Sequence, residues 1–205
     1  MSRFGNDPLS FFNAVYEATP PWDIGMPQPA MSDLLATYPP AGPILDVGCG
    51  SGDLSIYLAR LGHKVLGVDF VEAAITGANK KLASLPSELA SLVTFKVADA
   101  LKPSLLEEQF GAIVDSGFLH LFDTMQGERF VAELGEILLP KGRYYLHAFS
   151  IDFQIPGVPR KIDADEVQTL FTAEKGWQIK DIQSAQFLSR VAEPVPAICA
   201  CIERL

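Results

Sequence analysis

The sequence predicts an α/β fold: a doubly wound, mostly parallel seven-stranded sheet finished by a C-terminal antiparallel hairpin. Three observations lead there. Short apolar runs alternate with longer helix-compatible segments from Ile44 onward, a glycine-rich loop follows the first run, and the last part of the chain changes to two strand-like runs. The runs 43–47, 64–68, 93–98, 112–114 and 143–149 are rich in Val, Ile, Leu and aromatic residues. Their near-continuous apolarity suits parallel strands covered on both faces. Segments 53–61, 72–83 and 128–139 carry apolar residues at three-to-four spacing and read as crossover helices. Right-handed connections place such helices on the two faces of the sheet. Beyond them 164–171 reads as a helix, and 178–187 and 197–203 as a hairpin closing one sheet edge.

A chain of 205 residues is long enough for one well-buried core, so a single domain over 1–205 is expected. Hydrophobic residues at 48% and charged residues at 20% are a globular balance rather than that of a disordered or membrane chain. The net charge of −9 sets up repulsion against a polyanion, which argues against nucleic acid as a partner. Cys49, Cys199 and Cys201 form no CxxC or Cys/His spacing suited to zinc, so no metal is expected and a reducing cytoplasm fits best. The first residues contain no long apolar run. Neither a signal peptide nor a spanning helix is expected there, nor any membrane partner. The sequence implies no particular oligomeric state.

The segment ILDVGCGSGDLSIYLARLGHKVLGVDF reads as strand, glycine loop, helix, strand and acid. Gly48, Gly50 and Gly52 let the chain turn tightly and let a ligand approach the backbone with no Cβ in the way. The N–H groups of the following helix then face a polar ligand. Asp69 closes the second strand, where a carboxylate can accept hydrogen bonds from both hydroxyls of an unmodified ribose. That logic is common to dinucleotide enzymes and to another large class. A dinucleotide fingerprint, however, needs a small residue for close helix packing where this chain has Asp53.

The pattern Asp46-x-Gly48-x-Gly50-x-Gly52 instead resembles the first motif of class I S-adenosylmethionine-dependent methyltransferases, which have a Rossmann-like fold. The resemblance covers roughly residues 20–150 and implies S-adenosyl-L-methionine as cofactor. It implies that Asp69 holds the ribose and that Asp99, after the third strand, lies near the adenine. Phe70 and Ala100, which follow these acids, join the expected cofactor contacts. Asp46 reads either as a direct ligand or as an acid that organises the loop, and Cys49 as a small filler rather than a nucleophile.

Ahead of the sheet stands TPPWDIGMPQPAM, whose prolines preclude a regular helix throughout. Pro20 and Pro21 restrict the backbone before Trp22 and lower the entropy of holding its ring in one place. The segment resembles the Pro-Trp-Asp element of the thiopurine and thiol/halide methyltransferases and their small bacterial relatives, where it closes over the bound cofactor. Residues 1–40 are therefore expected as a lid segment before a 41–205 core, with Trp22 and Gln28 at the cofactor. Met26 stands where relatives often carry a basic residue.

The acceptor side is expected at the carboxyl edge of the fourth strand, in Asp115-Ser-Gly-Phe118-Leu-His120-Leu-Phe122. His120 and Asp115 are the candidate catalytic residues, each with an equally good structural reading, and Asp115 is also a candidate cofactor contact. The proline- and glycine-containing segment SIDFQIPGVPRK is expected to cover the site. These features together imply direct methyl transfer to the sulfur, oxygen or nitrogen of a small, apolar or aromatic molecule. Two other readings stay open at this level: a protein that binds S-adenosylmethionine without transferring methyl, and an NAD-dependent oxidoreductase, against which Asp53 counts.

Overall fold

The computed structural model describes residues 4, 7–153, 155 and 157–205. The chain begins with α1 (Pro8–Tyr16) and α2 (Pro29–Thr37), each opening on a proline. A proline is tolerated in the first helical turn because its missing N–H would have had no helical partner there. The sheet and its helices follow as β1 (Ile44–Val47), α3 (Asp53–Arg60), β2 (Val65–Asp69), α4 (Glu72–Ala83), the one-turn α5 (Ser87–Ala90) and β3 (Val93–Val97). Next come β4 (Phe110–Ser116), α6 (Thr124–Ile137), β5 (Leu138–Phe149), α7 (Ala164–Leu170), β6 (Trp177–Phe187) and β7 (Val195–Arg204).

The strand order is β3-β2-β1-β4-β5-β7-β6. Strands β1 to β5 run parallel, and β7 inserts antiparallel between β5 and β6. The expected doubly wound sheet with a C-terminal hairpin is thus observed, with β6 on the outer edge. Because β1 and β4 are neighbours whose crossovers leave in opposite directions, their carboxyl ends diverge into a crevice where such sheets bind ligands.

Both faces are covered. On one, α2 and α3 bury Met31, Leu34, Leu54 and Leu58 against Ile44, Val114, Tyr145 and Cys201. On the other, α6 and α7 bury Phe130, Leu134, Val167 and Leu170 against Leu45, Ile113, Tyr144 and Ile202. Alternation along β1 and β4 sends successive side chains to opposite faces.

Several boundaries differ from the sequence reading. The helix expected over 128–139 starts earlier, at Thr124, and ends at Ile137. At its start the Asp123 carboxylate caps the Gln126 N–H at 2.9 Å. At its end Pro140 disfavours helical geometry in Leu139, so the chain turns straight into β5. Of residues 1–40, α2 is not a lid: its Met31 and Leu34 are wholly buried beneath the sheet. In the segment expected to cover the site, Gln154 and Pro156 lie outside the described residues. Among the described residues no helix is long and apolar enough to cross a membrane.

Candidate active site

The loop after β1 passes through three left-handed glycines, Gly48, Gly50 and Gly52, with φ of +64°, +54° and +83°. Each is crowded as well as left-handed. A Cβ on Gly48 would stand 2.6 Å from the Phe118 ring, and one on Gly50 2.9 Å from the Tyr16 hydroxyl. The loop is pinned to β2 by the Cys49 N–H, which donates to the Val68 carbonyl at 3.0 Å. Asp69 completes the clasp: one carboxylate oxygen accepts from the Gly50 N–H at 3.0 Å and the other from the Val71 N–H at 2.9 Å. A carboxylate has more acceptor positions than these two bonds use, which leaves capacity for a ligand. Burial holds the Asp69 pKa above the usual carboxylate value, against the pull of these backbone donors.

Gly48, Cys49, Gly50, Asp69 and Val71 line one cavity at the carboxyl edge of the sheet. Its β1–β2 side carries Asp46, Gly48, Gly50, Asp53, Asp69 and Phe70, joined by Asp23 from the N-terminal segment. Its β4–β5–β6 side carries Ser116, Phe118, His120, Leu121, Phe149 and Phe187. Trp22 and Gln28 lie at its wall. Four carboxylates thus line the cavity, and among the described residues no lysine or arginine does. Asp46 is buried on the α3 face, where it accepts from the Ser55 hydroxyl at 2.6 Å. Burial, with the negative charges of Asp115 and Asp69 adding to it, raises the Asp46 pKa to about 7. A cation entering the cavity would relieve both effects.

Four residues expected at the site stand outside the cavity lining. Gly52 caps α3 behind it, where a Cβ would strike the Phe95 ring at 2.5 Å. Asp99 accepts from the Leu101 N–H at 3.0 Å and faces Lys102 on the surface, while Ala100 packs into the core. Asp115 lies on the opposite face of β4 from the glycine loop. There it accepts from the Phe118 and Leu119 N–H groups at 2.7 and 3.0 Å and from the Tyr144 hydroxyl at 2.6 Å. The pleat decides this: Ser116, one residue on, takes the cavity side instead.

His120 is at the cavity, yet its Nδ1 accepts from the Phe149 N–H at 3.1 Å. Burial, together with the neighbouring His147, lowers its pKa to about 3, so the ring is neutral at physiological pH. Gln28 lines the cavity with its amide already engaged, donating to the Leu188 carbonyl and accepting from the Leu188 N–H. That pair ties the N-terminal segment to the β6–β7 connection. The Arg190 N–H does the same, donating to the Pro21 carbonyl at 2.8 Å.

Behind the aromatic wall His147 is wholly buried and stacked on Phe187, with ring centroids 4.6 Å apart. Neither ring nitrogen has a partner in hydrogen-bond geometry, although the Gln186 backbone lies close enough to favour the charged ring slightly. Burial wins and lowers the His147 pKa to about 4. Between pH 6.5 and about 4 the unfolded chain takes up a proton here that the folded chain refuses, so folding stability falls as pH falls through that window. His147→Phe removes this penalty and keeps the stack. Its stability advantage over the parent should grow as pH is lowered, reaching roughly 1–3 kcal/mol near pH 4.5 in urea unfolding. An advantage that does not change between pH 7 and 4.5 would contradict the buried neutral ring.

Residues 44–142 match the family model of a methyltransferase domain. The 2-heptyl-1-hydroxyquinolin-4(1H)-one methyltransferase of Mycobacteroides abscessus is 30% identical over 169 residues, covering 82% of this chain and 73% of that protein. The chain belongs to the S-adenosylmethionine-dependent methyltransferases. A second relative of this methyltransferase, the probable thiol methyltransferase 2 of Arabidopsis thaliana, is 28% identical over 72% of this chain and 65% of its own length. A solved structure from work on the conversion of a disulfide bond into a thioacetal group during echinomycin biosynthesis superimposes with a TM-score of 0.80. It is 29% identical and covers 96% of this chain and 92% of its own. S-Adenosylmethionine is the cofactor, and the Asp46 and Asp69 carboxylates on the β1–β2 side of the cavity fit its positive charge.

Sequence reasoning did not single out Ser51, Val71 or Phe187 as cavity residues. Ser51 was legible as part of the glycine loop, whereas Phe187 reaches the cavity only because the hairpin returns β6 to the sheet.

Proposed function

We propose that this methyltransferase, acting as one domain with residues 17–28 as its cofactor cover, transfers methyl to a neutral, apolar or aromatic small molecule through its O, S or N atom. The observation that carries this reading is the division of the cavity. Glycine backbone and carboxylates lie on the β1–β2 side, and Phe118, Leu121, Phe149 and Phe187 lie on the β4–β5–β6 side. Residues 48–51, Asp69 and Phe70 would hold the cofactor. Once bound, it supplies a methyl group already activated by a sulfonium charge.

The chain's own task is to align the acceptor and exclude water. The aromatic wall serves both ends, with the neutral His120 ring set among Phe149 and Phe187 at centroid distances of 4.7 and 6.0 Å. With Nδ1 occupied, His120 positions the acceptor rather than taking its proton, and Asp115 acts from beneath by fixing the Phe118–Leu119 backbone. Among the described lining residues the acceptor side carries no lysine or arginine to pair with an anionic acceptor. That favours a hydroxylated or heterocyclic aromatic molecule over a small anion, in keeping with the quinolone on which the Mycobacteroides abscessus relative acts. The three free thiols, Cys49, Cys199 and Cys201, suit a reducing cytoplasm.

Incubation with labelled methyl donor and a panel of phenols, hydroxyquinolones, nitrogen heterocycles and neutral thiols, beside thiocyanate and iodide, tests the reading. A methylated neutral aromatic product is expected. Turnover confined to the inorganic anions would overturn the assignment of acceptor class.

A further inference from the structure

The N-terminal segment, the glycine loop and two helices meet at one ammonium group. Lys81 Nζ, reaching from α4, lies 2.9 Å from both carboxylate oxygens of Asp53 at the start of α3 and 2.8 Å from the hydroxyl of Ser51 in the glycine loop. Ser51 donates in turn to Asp23 at 2.6 Å, and Asp23 stands 3.8 Å from the same ammonium. Asp23, Ser51 and Asp53 line the cavity; Lys81 does not.

Elsewhere residues 17–28 are fastened by hydrogen bonds to the β6–β7 connection, through Pro21, Gln28 and Thr19 with Arg190, and the Trp22 ring packs against Phe12 and Tyr16 of α1. Asp23 is the point where the segment reaches the cofactor loop itself. It does so beside a second carboxylate, an arrangement that repels unless a cation stands between them. Burial would raise the Asp23 pKa, but the Ser51 hydroxyl and the Lys81 ammonium outweigh it and hold the carboxyl below its usual value. An exposed ion pair contributes little. This one is better shielded: the Lys81 side chain is 36% exposed, but those of Asp23 and Asp53 are only 13% and 21% exposed and one cation serves both.

We propose that Lys81 is the positioning residue that latches the Trp22–Asp23 segment onto the glycine loop, and so sets how tightly the cofactor is held rather than how fast methyl is transferred. The inference rests on reading residues 17–28 as the cofactor cover. Without the ammonium, Asp23 and Asp53 face each other across Ser51 and the cover swings away from the loop. With Arg at position 81 a cation of similar reach still bridges them.

Calorimetric titration of the full chain with S-adenosylhomocysteine tests the latch in the parent, Lys81→Met, Lys81→Arg, Asp23→Asn and the double variant. Lys81→Met should weaken binding about tenfold, the effect of losing one charge-assisted contact. Lys81→Arg should recover most of the loss, and the double variant should bind no more weakly than the worse single one. Acrylamide quenching reports the same event: Trp177 is buried, so greater quenching of ligand-bound Lys81→Met reads Trp22 swinging out. In turnover, KM for S-adenosylmethionine should rise far more than kcat falls. If Lys81→Met fails to fold, Lys81→Gln carries the same test. Weakened binding in Asp23→Asn with unchanged binding in Lys81→Met overturns the latch and leaves the cover standing. Unchanged binding and quenching in both overturns the cover as well.

Discussion

Gly50→Val abolishes cofactor binding while leaving the chain folded: affinity for S-adenosylhomocysteine should fall roughly a hundredfold or more by calorimetry. Two costs combine at this position. The backbone φ of +54° is left-handed, which a β-branched residue adopts only at a cost of about 1–2 kcal/mol or more. The new side chain also starts 2.9 Å from the Tyr16 hydroxyl, on the wall of the cavity. The loop can relieve these strains only by turning away, which breaks the 3.0 Å bond from the Gly50 N–H to Asp69 and spoils both halves of the clasp. Because the strain falls on a loop outside the strands and helices, far-ultraviolet circular dichroism should stay native and the melting temperature should fall by only a few degrees. Full retention of affinity would show that the cofactor does not lie against residues 48–51.

Asp115→Ala should act in the opposite sense, on stability first. Its carboxylate is wholly buried and accepts three hydrogen bonds, from Phe118, Leu119 and Tyr144. Deletion leaves two backbone donors and one phenol hydroxyl unpaired in a dry core, each a desolvation cost of about 1–3 kcal/mol before relaxation. A total loss of roughly 3–5 kcal/mol is expected, or a fall of about 6–20 °C in Tm for a chain of this size. Asp115→Asn keeps one carbonyl acceptor but sets its NH2 group against donors that the other oxygen served, so it should recover only part of the loss. Activity should follow stability, because Phe118 packs against Gly48 and its backbone is what Asp115 holds. A folded Asp115→Ala chain of parental Tm but negligible activity would instead mark Asp115 as a group acting directly on the reaction.

The contrast between these two residues shows how far the sequence reached. Strand runs, the glycine loop and the acid that closes β2 were legible because each is a local pattern. Apolar continuity marks strands buried on both faces, and three glycines at alternate positions mark a backbone forced into left-handed turns. An acid at the end of β2 marks the ribose end of such sheets. The chain alone therefore determined the doubly wound sheet, its hairpin and the family of cofactor. What it did not determine was the direction of side chains at strand ends and the meeting of distant segments. Asp115 and Ser116 are adjacent in sequence, but the pleat sends one to the core and the other to the cavity. Asp99 satisfies its own turn instead of lining the cavity. Lys81 gave no signal, since a lysine on the polar side of a helix is ordinary, and only the packing of α4 beside α3 brings its ammonium between Asp23 and Asp53. Local backbone chemistry is written in the neighbouring residues; a contact 28 or 58 positions away is decided by the sheet order and the helices that cover it.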